Sequence, residues 1–417
     1  MKGSRLPTPL RALASRNYRL FFFGQLISLM GTWMQSVAQQ WLVYRLTGSA
    51  ALLGLVGFLG QIPVFLLAPI GGVLADRFPK RNIVVVTQTL FMFLAFAFAL
   101  LTLTHHIRPW HIPLLALLFG LVNAVDVPAR QAFVPEMVPR ELLLNAIALN
   151  SAMFNVARIV GPAIAGVVVA AVGEGWCFFA NAVSYLAVIA GLLMMDVPDT
   201  VPSSATANPL ERLVEGLQFV ARTSPIREIL LLLALVSVMG MSYTVLMPIF
   251  ADRILHGGAK GLGILMSASG IGALLGALML AMREGIRGLG KRVALGAVGF
   301  GISLILFAHS RSFWLSALLM VPAGFCMITQ MASSNTLVQT LSPDELRGRV
   351  MAVYAMMFMG MAPFGSLLAG TLAHWLGAPT TVSLGGVACV IGGLLFARQL
   401  PQLRQAARQL LASQSTP

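Results

Sequence analysis

The sequence predicts an all-α membrane protein, with twelve transmembrane helices in two pseudo-symmetric six-helix bundles. Its 417 residues are 58% hydrophobic and only 10% charged, whereas soluble domains carry about 25% charged residues. The apolar residues are gathered into runs that are long enough to cross a bilayer. In addition, the second half of the chain repeats the landmarks of the first half. These three observations exclude an ordinary soluble protein of this length.

Twelve apolar runs can be marked along the chain. A helix of about 20 residues crosses about 30 Å of hydrocarbon. Backbone groups inside lipid must find their hydrogen bonds within the segment, so the runs are predicted as helices and not as strands. Their approximate bounds are 17–44, 50–76, 82–103, 110–133, 141–171, 175–195, 226–250, 257–282, 291–308, 313–340, 346–373 and 380–399.

The internal repeat becomes visible when the chain is shifted by 204 residues against itself without gaps. Several tryptophan, glycine and proline residues of the first half are then aligned with the same residue type in the second half. The pairs include Gly54 with Gly258, Gly72 with Gly276, Trp110 with Trp314, Gly120 with Gly324, Pro139 with Pro343, and Gly166 with Gly370. A duplicated apolar half predicts two related bundles with a site between them, which is how many secondary transporters are built.

The basic residues predict the orientation. With both termini on the cytoplasmic side, most of the 28 Lys and Arg residues fall in cytoplasmic segments, as the positive-inside rule requires. The net charge of +14 is therefore explained by the many basic residues on the cytoplasmic side, which faces anionic lipid headgroups. Nucleic acid is not an expected partner, because the bases form short clusters between apolar runs.

The predicted organisation has five parts. They are a cytoplasmic N-terminal segment at 1–16, an N-terminal six-helix bundle at 17–196, a cytoplasmic linker with an amphipathic helix at 197–225, a C-terminal six-helix bundle at 226–400, and a cytoplasmic tail at 401–417.

The loop after the second run reads Gly-Gly-Val-Leu-Ala-Asp-Arg-Phe-Pro-Lys-Arg over positions 71–81. In combination with twelve helices and a six-plus-six repeat, this loop resembles the major facilitator superfamily, whose pattern is G-x-L-a-D-r-x-G-r-r/k. The matching residues are Gly72, Leu74, Asp76, Arg77, Lys80 and Arg81. Pro79 stands where the superfamily usually has glycine.

The resemblance implies an inner gate. In the superfamily the loop aspartate lies near the start of the eleventh helix and clamps the two halves on the cytoplasmic side, so Asp76 is expected to act as a latch. Its expected partners at that helix start are Ser342, Asp344, Glu345 and Arg349. Ser342 and Glu345 have the spacing of a capping box, which predicts a helix start there. The alternative is that Asp76 is a solvated loop acid among topogenic bases.

Two charged residues, Arg158 and Asp126, lie well inside predicted spans, away from the span ends. Arg158 is near the middle of the fifth run, where an unpaired charge costs at least ~3 kcal/mol, so it needs a partner or a wet cavity. Asp126, in the inner half of the fourth run, is its best ionic candidate. Both are candidates for cargo binding or coupling. The alternatives are a structural pair, or a local pair between Asp126 and Arg130 one turn away.

Polar residues share single faces in the first and fifth runs. In the first run these include Thr32, Gln35 and Gln39, and in the fifth run Asn155 shares a face with Arg158. Such faces either line a cavity or hydrogen-bond to neighbouring helices. Cavity lining is preferred for the first run, because that helix is central in the superfamily.

The fifth run also contains a glycine-proline motif. Gly161, Pro162 and Gly166 resemble in part the superfamily's antiporter motif, G-x-x-x-G-P-x-x-G-G, although Arg158 occupies the early glycine position. Small residues allow close helix packing, and proline gives a bend. The motif favours export over import.

Shorter stretches, such as Gly-Thr-Trp-Met-Gln at 31–35 and Asp-Val-Pro-Ala-Arg-Gln at 126–131, resemble the bacterial branch that includes the enterobactin exporter and macrolide efflux proteins. The resemblance implies a secondary active transporter that exports a small amphipathic compound, a siderophore or a drug, by alternating access. A proton gradient would drive it, with no cofactor or metal, as a monomer in a bacterial inner membrane. The alternatives are an uptake permease for a nutrient or lipid-like solute on the same fold and, more distantly, an intramembrane enzyme.

Overall fold

The computed structural model describes residues 8–196, 209–241, 243–282, 285 and 288–415. Within these residues the regular structure is helical and contains no strand, which confirms the all-α fold class. The predicted N-terminal segment up to residue 7 and the linker stretch 197–208 lie outside the described residues.

The first half of the chain forms six long helices, preceded by a short 3-10 helix at Thr8–Ala14. They are α1 (Arg16–Thr47), α2 (Ala50–Arg77), α3 (Lys80–Leu103), α4 (His111–Phe133), α5 (Leu143–Val172) and α6 (Glu174–Leu193). The predicted amphipathic linker helix follows as α7 (Pro209–Arg222).

The second half is less regular, because π-helical turns interrupt two of its helices. Its seventh crossing consists of α8 (Ser224–Leu235), a π-helical segment at Val236–Gly240, α9 (Tyr243–Ile249) and a second π-helical segment at Phe250–Ile254. Then come α10 (Gly258–Ala281), α11 (Leu289–His309) and α12 (Phe313–Leu341). The last crossings are α13 (Arg347–Ala355) with a π-helical segment at Met356–Gly360 and α14 (Ala362–Leu376), then α15 (Ala378–Ser415).

Eleven helical stretches of the described chain are long and apolar enough to cross a membrane. The twelfth predicted crossing is α1, which has 32 residues but carries several glutamine and serine residues that lower its hydropathy. Gln25, Ser28 and Gln35 on this helix are all buried in the protein. Since these polar side chains point into the protein, α1 can still cross the membrane with its apolar residues toward lipid.

The chain divides into two compact units. One comprises Met1–Gly48, Leu59–Ala205 and Gly258–Ser267, and the other comprises Ser49–Phe58, Thr206–Gly257 and Ala268–Pro417. In the first unit α1 packs against α5 and α6, and α3 packs against α4 and α6. In the second unit α11 packs against α12 and α15, and α7 packs against α13.

The repeat is real but not free of gaps. Helices α6 and α15 begin at Glu174 and Ala378, 204 residues apart, whereas α3 and α11 begin at Lys80 and Leu289, 209 residues apart. The additional residues precede α11, in the part of the chain that contains two π-helical segments. The uniform shift of 204 is therefore wrong for the second and third helices of each half, and the glycine matches within those helices do not mark equivalent positions.

Candidate functional site

A buried carboxylate on α4 is the centre of the candidate site. Asp126 is 2% exposed, and its Oδ1 accepts hydrogen bonds from Thr87 Oγ1 at 2.7 Å and from Gln88 Nε2 at 3.0 Å, both on α3. Its Oδ2 lies 3.2 Å from Nε of Arg130, one turn further along α4. A carboxylate in an apolar interior is costly unless it is paired and hydrogen-bonded. Of the two arginines considered as partners, the structure shows Arg130 in contact with Asp126.

The second unit contains a neutral counterpart of this site. Gln330 on α12 corresponds to Asp126 at a distance of 204 residues, and Gly296 on α11 corresponds to Thr87 at 209 residues. A Cβ built at Gly296 would lie 2.8 Å from Gln330 Cβ, so the same two helix positions meet in both units. Gln330 Nε2 lies 3.5 Å from Ser334 Oγ, four residues later. Both units thus have a polar pair one helical turn apart at this position. The pair is ionic in the first unit, Asp126 with Arg130, and neutral in the second, Gln330 with Ser334.

The helix packing beside Asp126 depends on a proline and a glycine. Pro128 has no N–H, so the carbonyl oxygen of Ala124, four residues earlier, lacks its helical donor. Gly71 of α2 lies against this oxygen, and a Cβ built at Gly71 would come within 2.2 Å of it. By contrast, no described atom lies within 4 Å of a Cβ built at Gly72, the glycine of the predicted gate motif. The close contact is therefore made by Gly71, which sequence reasoning missed.

This difference predicts opposite outcomes for two adjacent substitutions. Gly71→Ala should destabilise the protein by about 1–3 kcal/mol, because the added methyl group collides with a backbone oxygen. Gly72→Ala is the matched control and should be neutral or slightly stabilising, since alanine is the better helix former. Thermal unfolding of the purified protein in detergent checks both. Equal melting temperatures for the two variants would contradict this account of the packing.

The predicted polar face of α1 divides between two environments. Gln35 is 5% exposed, and its Oε1 accepts a hydrogen bond from Asn181 Nδ2 of α6 at 2.7 Å. Thr32 is exposed, and its Oγ1 lies 3.4 Å from the hydroxyl of Tyr185 on α6. Gln39 is half-buried. Gln35 therefore joins two helices, whereas Thr32 and Gln39 keep the accessibility that a cavity residue needs.

Arg158 lies on α5 with a partly exposed side chain. Asn155, one turn earlier, is also partly exposed, and its Nδ2 donates a hydrogen bond to the carbonyl oxygen of Ser151 at 2.8 Å. The guanidinium group carries five N–H donors in a planar fork, which suits carboxylate and other anionic oxygens. This region of α5 can therefore present donors to an anionic group.

The glycine-proline motif lies within α5, and this helix continues past Pro162 without a break. A Cβ built at Gly161 would come within 2.5 Å of Trp33 Cβ on α1. A Cβ built at Gly166 would come within 3.1 Å of Gly263 Cα, which belongs to the same unit. Both glycines lie where another helix approaches closely.

The charged residues of the predicted gate loop differ in their exposure and in their contacts. Asp76 and Arg77 are exposed. Lys80 Nζ lies 2.7 Å from Oε1 of Glu136, which follows α4. Arg81 Nε donates to the carbonyl oxygen of Leu192 at 2.8 Å, at the end of α6. Lys80 and Arg81 therefore hold the start of α3 to neighbouring helices in the same unit.

Pro79 occupies the position where the superfamily has glycine, and the structure explains why proline fits. Pro79 is the residue immediately before α3, and its φ is −56°, which is the value that the proline ring imposes. No left-handed conformation is needed at this position, so glycine is not required for the turn.

The predicted capping box before the eleventh crossing does not form. Ser342 terminates α12, and its hydroxyl donates to the carbonyl oxygen of Val338 at 2.6 Å. Helix α13 begins only at Arg347. Asp344 and Glu345 are exposed in the intervening turn, where Asp344 pairs with Arg347. Backward bonding of the serine to its own helix has replaced the forward cap.

Arg349, a predicted gate residue, contacts the linker helix. Its Nη1 lies 2.6 Å from Oε2 of Glu215 on α7. A Cβ built at Gly216, the next residue of α7, would lie 2.8 Å from the carbonyl oxygen of Arg349. The linker helix therefore packs directly against the start of α13, a contact that sequence reasoning did not predict.

Charge reversal tests this contact. Because both side chains are partly exposed, the pair stabilises the docked helix by at most about 1 kcal/mol. Arg349→Glu places two carboxylates together and should accelerate amide hydrogen exchange in α7 about fivefold. The double variant Glu215→Arg/Arg349→Glu should restore slow exchange, as measured by mass spectrometry. Fast exchange in the double variant would show that the ion pair does not hold α7.

A second buried acid lies far from Asp126 in the sequence and was not predicted. Glu174, the first residue of α6, is 5% exposed. Its Oε1 lies 2.7 Å from Nε of Arg45, and its Oε2 lies 3.2 Å from Nη2 of the same side chain. This two-point contact joins the end of α1 to the start of α6. A carboxylate in the first turn of a helix is also favoured by the helix dipole.

Metal binding has no support among the described residues, which contain no group of three or more His, Cys, Asp or Glu side chains suited to a metal ion.

Comparison with known proteins gives a consistent result along the whole chain. Residues 7–416 match the family described as "Transmembrane secretion effector". The staphyloferrin A transporter of Staphylococcus aureus is 27% identical over 382 residues, which cover 91% of this chain and 95% of that protein. The multidrug efflux pump Tap of Mycolicibacterium fortuitum is 28% identical over 398 residues, covering 93% and 96%. The enterobactin exporter EntS of Shigella boydii is 25% identical over 402 residues, covering 95% and 96%.

Solved structures share the fold. The chain superimposes on a peptide transporter of the POT type with a TM-score of 0.74 at 13% identity, covering 96% of this chain and 99% of that one. The nucleoside transporter NupG gives a TM-score of 0.73 at 14% identity, covering 92% and 98%. At these identities the likeness concerns the fold alone.

Proposed function

We propose an export function from one premise: the chain belongs to the transmembrane secretion effector family of the major facilitator superfamily. It is therefore a multi-pass membrane transporter for a small molecule, and not an enzyme. The proposal goes further in three respects. The cargo is an amphipathic compound, either a siderophore or a drug; the direction is outward; and the driving force is a proton gradient. We place the protein in a bacterial inner membrane as a monomer, with both termini cytoplasmic.

The observation that carries this proposal is the ion pair between Asp126 and Arg130. Asp126 and Glu174 are the two acids that are buried among the described residues, and Glu174 lies at a helix start beside a half-exposed arginine. An ionisable side chain inside a membrane protein is expensive and usually serves ion or proton movement. Asp126 is the proposed proton site, since protonation would cancel its attraction to Arg130 and release the guanidinium group of Arg130 for another partner.

Relatives support the cargo class. Among the proteins reported above, two are named for siderophores and one for multidrug efflux. Arg158, Asn155, Thr32 and Gln39 are the proposed cargo contacts, because they combine polarity with partial exposure inside spans. A guanidinium group among them favours cargo that carries anionic or strongly polar oxygens.

The cytoplasmic gate remains part of the proposal. Asp76 is exposed at the end of α2, which leaves its carboxylate available to act as a latch during part of a transport cycle. Lys80 and Arg81 keep the start of α3 in place, and Arg349 holds the linker helix. Alternating access then requires only that the two halves move while each keeps its internal packing.

Transport into inside-out membrane vesicles tests the proposal. With an acidic lumen, vesicles that contain the protein should accumulate an iron-free siderophore or a cationic dye, and a protonophore should abolish the accumulation. Accumulation that needs an alkaline lumen would show uptake instead of export. Accumulation that persists with the protonophore would show that protons do not drive transport.

A further inference from the structure

Gln88 carries an unexplained polar atom next to the proposed proton site. The side chain is 2% exposed, and its Nε2 donates to Oδ1 of Asp126 at 3.0 Å. Its Oε1 is also buried and has no hydrogen-bond partner within the part of the chain that the structure describes. A buried acceptor without a donor costs about 1–3 kcal/mol.

The missing donor appears when Asp126 becomes protonated. An ionised carboxylate only accepts hydrogen bonds, whereas a protonated carboxyl group carries one O–H donor. A half-turn of the Gln88 amide about its last torsion angle exchanges Oε1 with Nε2 beside Asp126, and this terminal torsion is broad and roughly two-fold. The same amide group can therefore donate to the carboxylate and accept from the acid.

We infer that Gln88 is a positioning residue for proton coupling, with an amide that stabilises Asp126 in both of its protonation states. A proton from the aqueous phase forms an O–H bond on the Asp126 carboxylate, and this O–H donates to Oε1 of the turned amide. Arg130 then loses its ionic partner. On deprotonation the amide turns back, its Nε2 donates again, and the ion pair forms again.

None of the described charged or titratable groups named below, which surround Asp126 or lie near the end of α4, is placed to accept a hydrogen bond from its protonated carboxyl group. Arg130 on α4 is a donor only. From α6, Tyr185 interacts electrostatically with both Asp126 and Arg130, but its hydroxyl is engaged with Thr32 and Asn181. Lys80 and Glu136, beside the end of α4, are paired with each other. Thr87 Oγ1 is within hydrogen-bond distance of the carbonyl oxygen of Val84 as well as of Asp126.

The second unit differs from the first at both positions, that of the acid and that of the amide. By the correspondence of Gly296 with Thr87, the counterpart of Gln88 on α11 is Ala297. At that position the counterpart of Asp126 is Gln330, which does not titrate. The second unit therefore has neither a titratable group at the position of Asp126 nor an amide at the position of Gln88.

The inference rests on Asp126 as the proton site, and infrared difference spectroscopy separates the two claims. Acidification of the wild-type protein should produce the C=O band of a protonated carboxyl group, and Asp126→Asn should lose this band. Gln88→Met, which keeps the side-chain length but has no N–H donor and only a weak sulfur acceptor, should shift the band. Gln25→Met is the matched control, because Gln25 is also buried with an unpartnered Oε1 but is not bonded to Asp126; it should leave the band unchanged.

Each outcome decides one claim. If the wild-type band is absent, Asp126 does not take up the proton and the proposed coupling fails. If the band is present and unshifted in Gln88→Met, coupling at Asp126 stands and the role of Gln88 is overturned.

Isotope-labelled glutamine gives a second measurement without any change at Gln88. Acidification should shift a glutamine amide band in the infrared spectrum, and Asp126→Asn should abolish that shift. An amide band that ignores acidification would also overturn the inference.

Discussion

Replacing Asp126 with asparagine is expected to lower proton-driven export by about 100-fold, which is the upper end of the coupling between two sites in one protein. Asparagine has nearly the same shape and can still accept from Thr87 and Gln88. It cannot take up a proton, and it leaves Arg130 without its ionic partner. Cargo exchange without a pH gradient should continue, because exchange does not require a net proton movement. Inside-out vesicles with and without an acidic lumen measure both activities.

Glu174→Gln is the matched control for this experiment. Glu174 is the other acid buried among the described residues, and its partner Arg45 is about half exposed. Water can therefore compensate the arginine when the carboxylate is removed. The response of transport to the pH gradient should remain in this variant. If Asp126→Asn responds to the gradient like the wild type, Asp126 is a structural residue.

Replacing Arg158 with alanine is expected to weaken the binding of an anionic cargo by about 10–100-fold, because a hydrogen bond to a charged group is worth about 1.5–3 kcal/mol. The side chain is partly exposed on α5 and carries donors that suit carboxylate and other anionic oxygens. Competition by unlabelled siderophore in a transport assay measures this loss. A neutral or cationic dye should be transported with little change.

Arg158→Lys separates charge from geometry. Lysine keeps the positive charge but loses the planar fork, so the affinity for an anionic cargo should fall between those of the wild type and Arg158→Ala. Protein abundance in the membrane and the melting temperature must be measured together with transport. If Arg158→Ala mainly lowers abundance, the arginine stabilises the helix bundle and does not bind cargo.

The sequence predicted the helices well, because the physics of membrane crossing is local. A run of apolar residues has the length and the hydropathy of a span wherever its neighbours lie. The linker helix was predicted for a similar reason, since its apolar residues recur at helical spacing. Even α1, whose glutamines lower its hydropathy, was identified from the length of its run.

The side-chain contacts of the candidate residues were predicted poorly, because these contacts depend on which helices meet. Glu136 and Glu215 were not considered as partners, yet each pairs with a base of the predicted gate. The Ser342 capping box had the right spacing, but the serine bonds back to α12. Gly71 and Gly72 are neighbours, and only the packing of α2 against α4 shows which of them must be glycine.

The sequence by itself determined the fold class, the crossings and the presence of a costly acid inside the membrane, because each of these follows from residues close together along one helix. The contact of Asp126 with Arg130, one turn away on the same helix, was among the pairs that the sequence offered. Only the tertiary structure decided that Asp126 is also held by Thr87 and Gln88 on α3. Hydrogen bonds between helices require two faces to meet at distances near 3 Å, and no pattern along a single helix contains that information. The unpartnered oxygen of Gln88 is the clearest example, since its significance depends on the carboxylate that another helix places beside it.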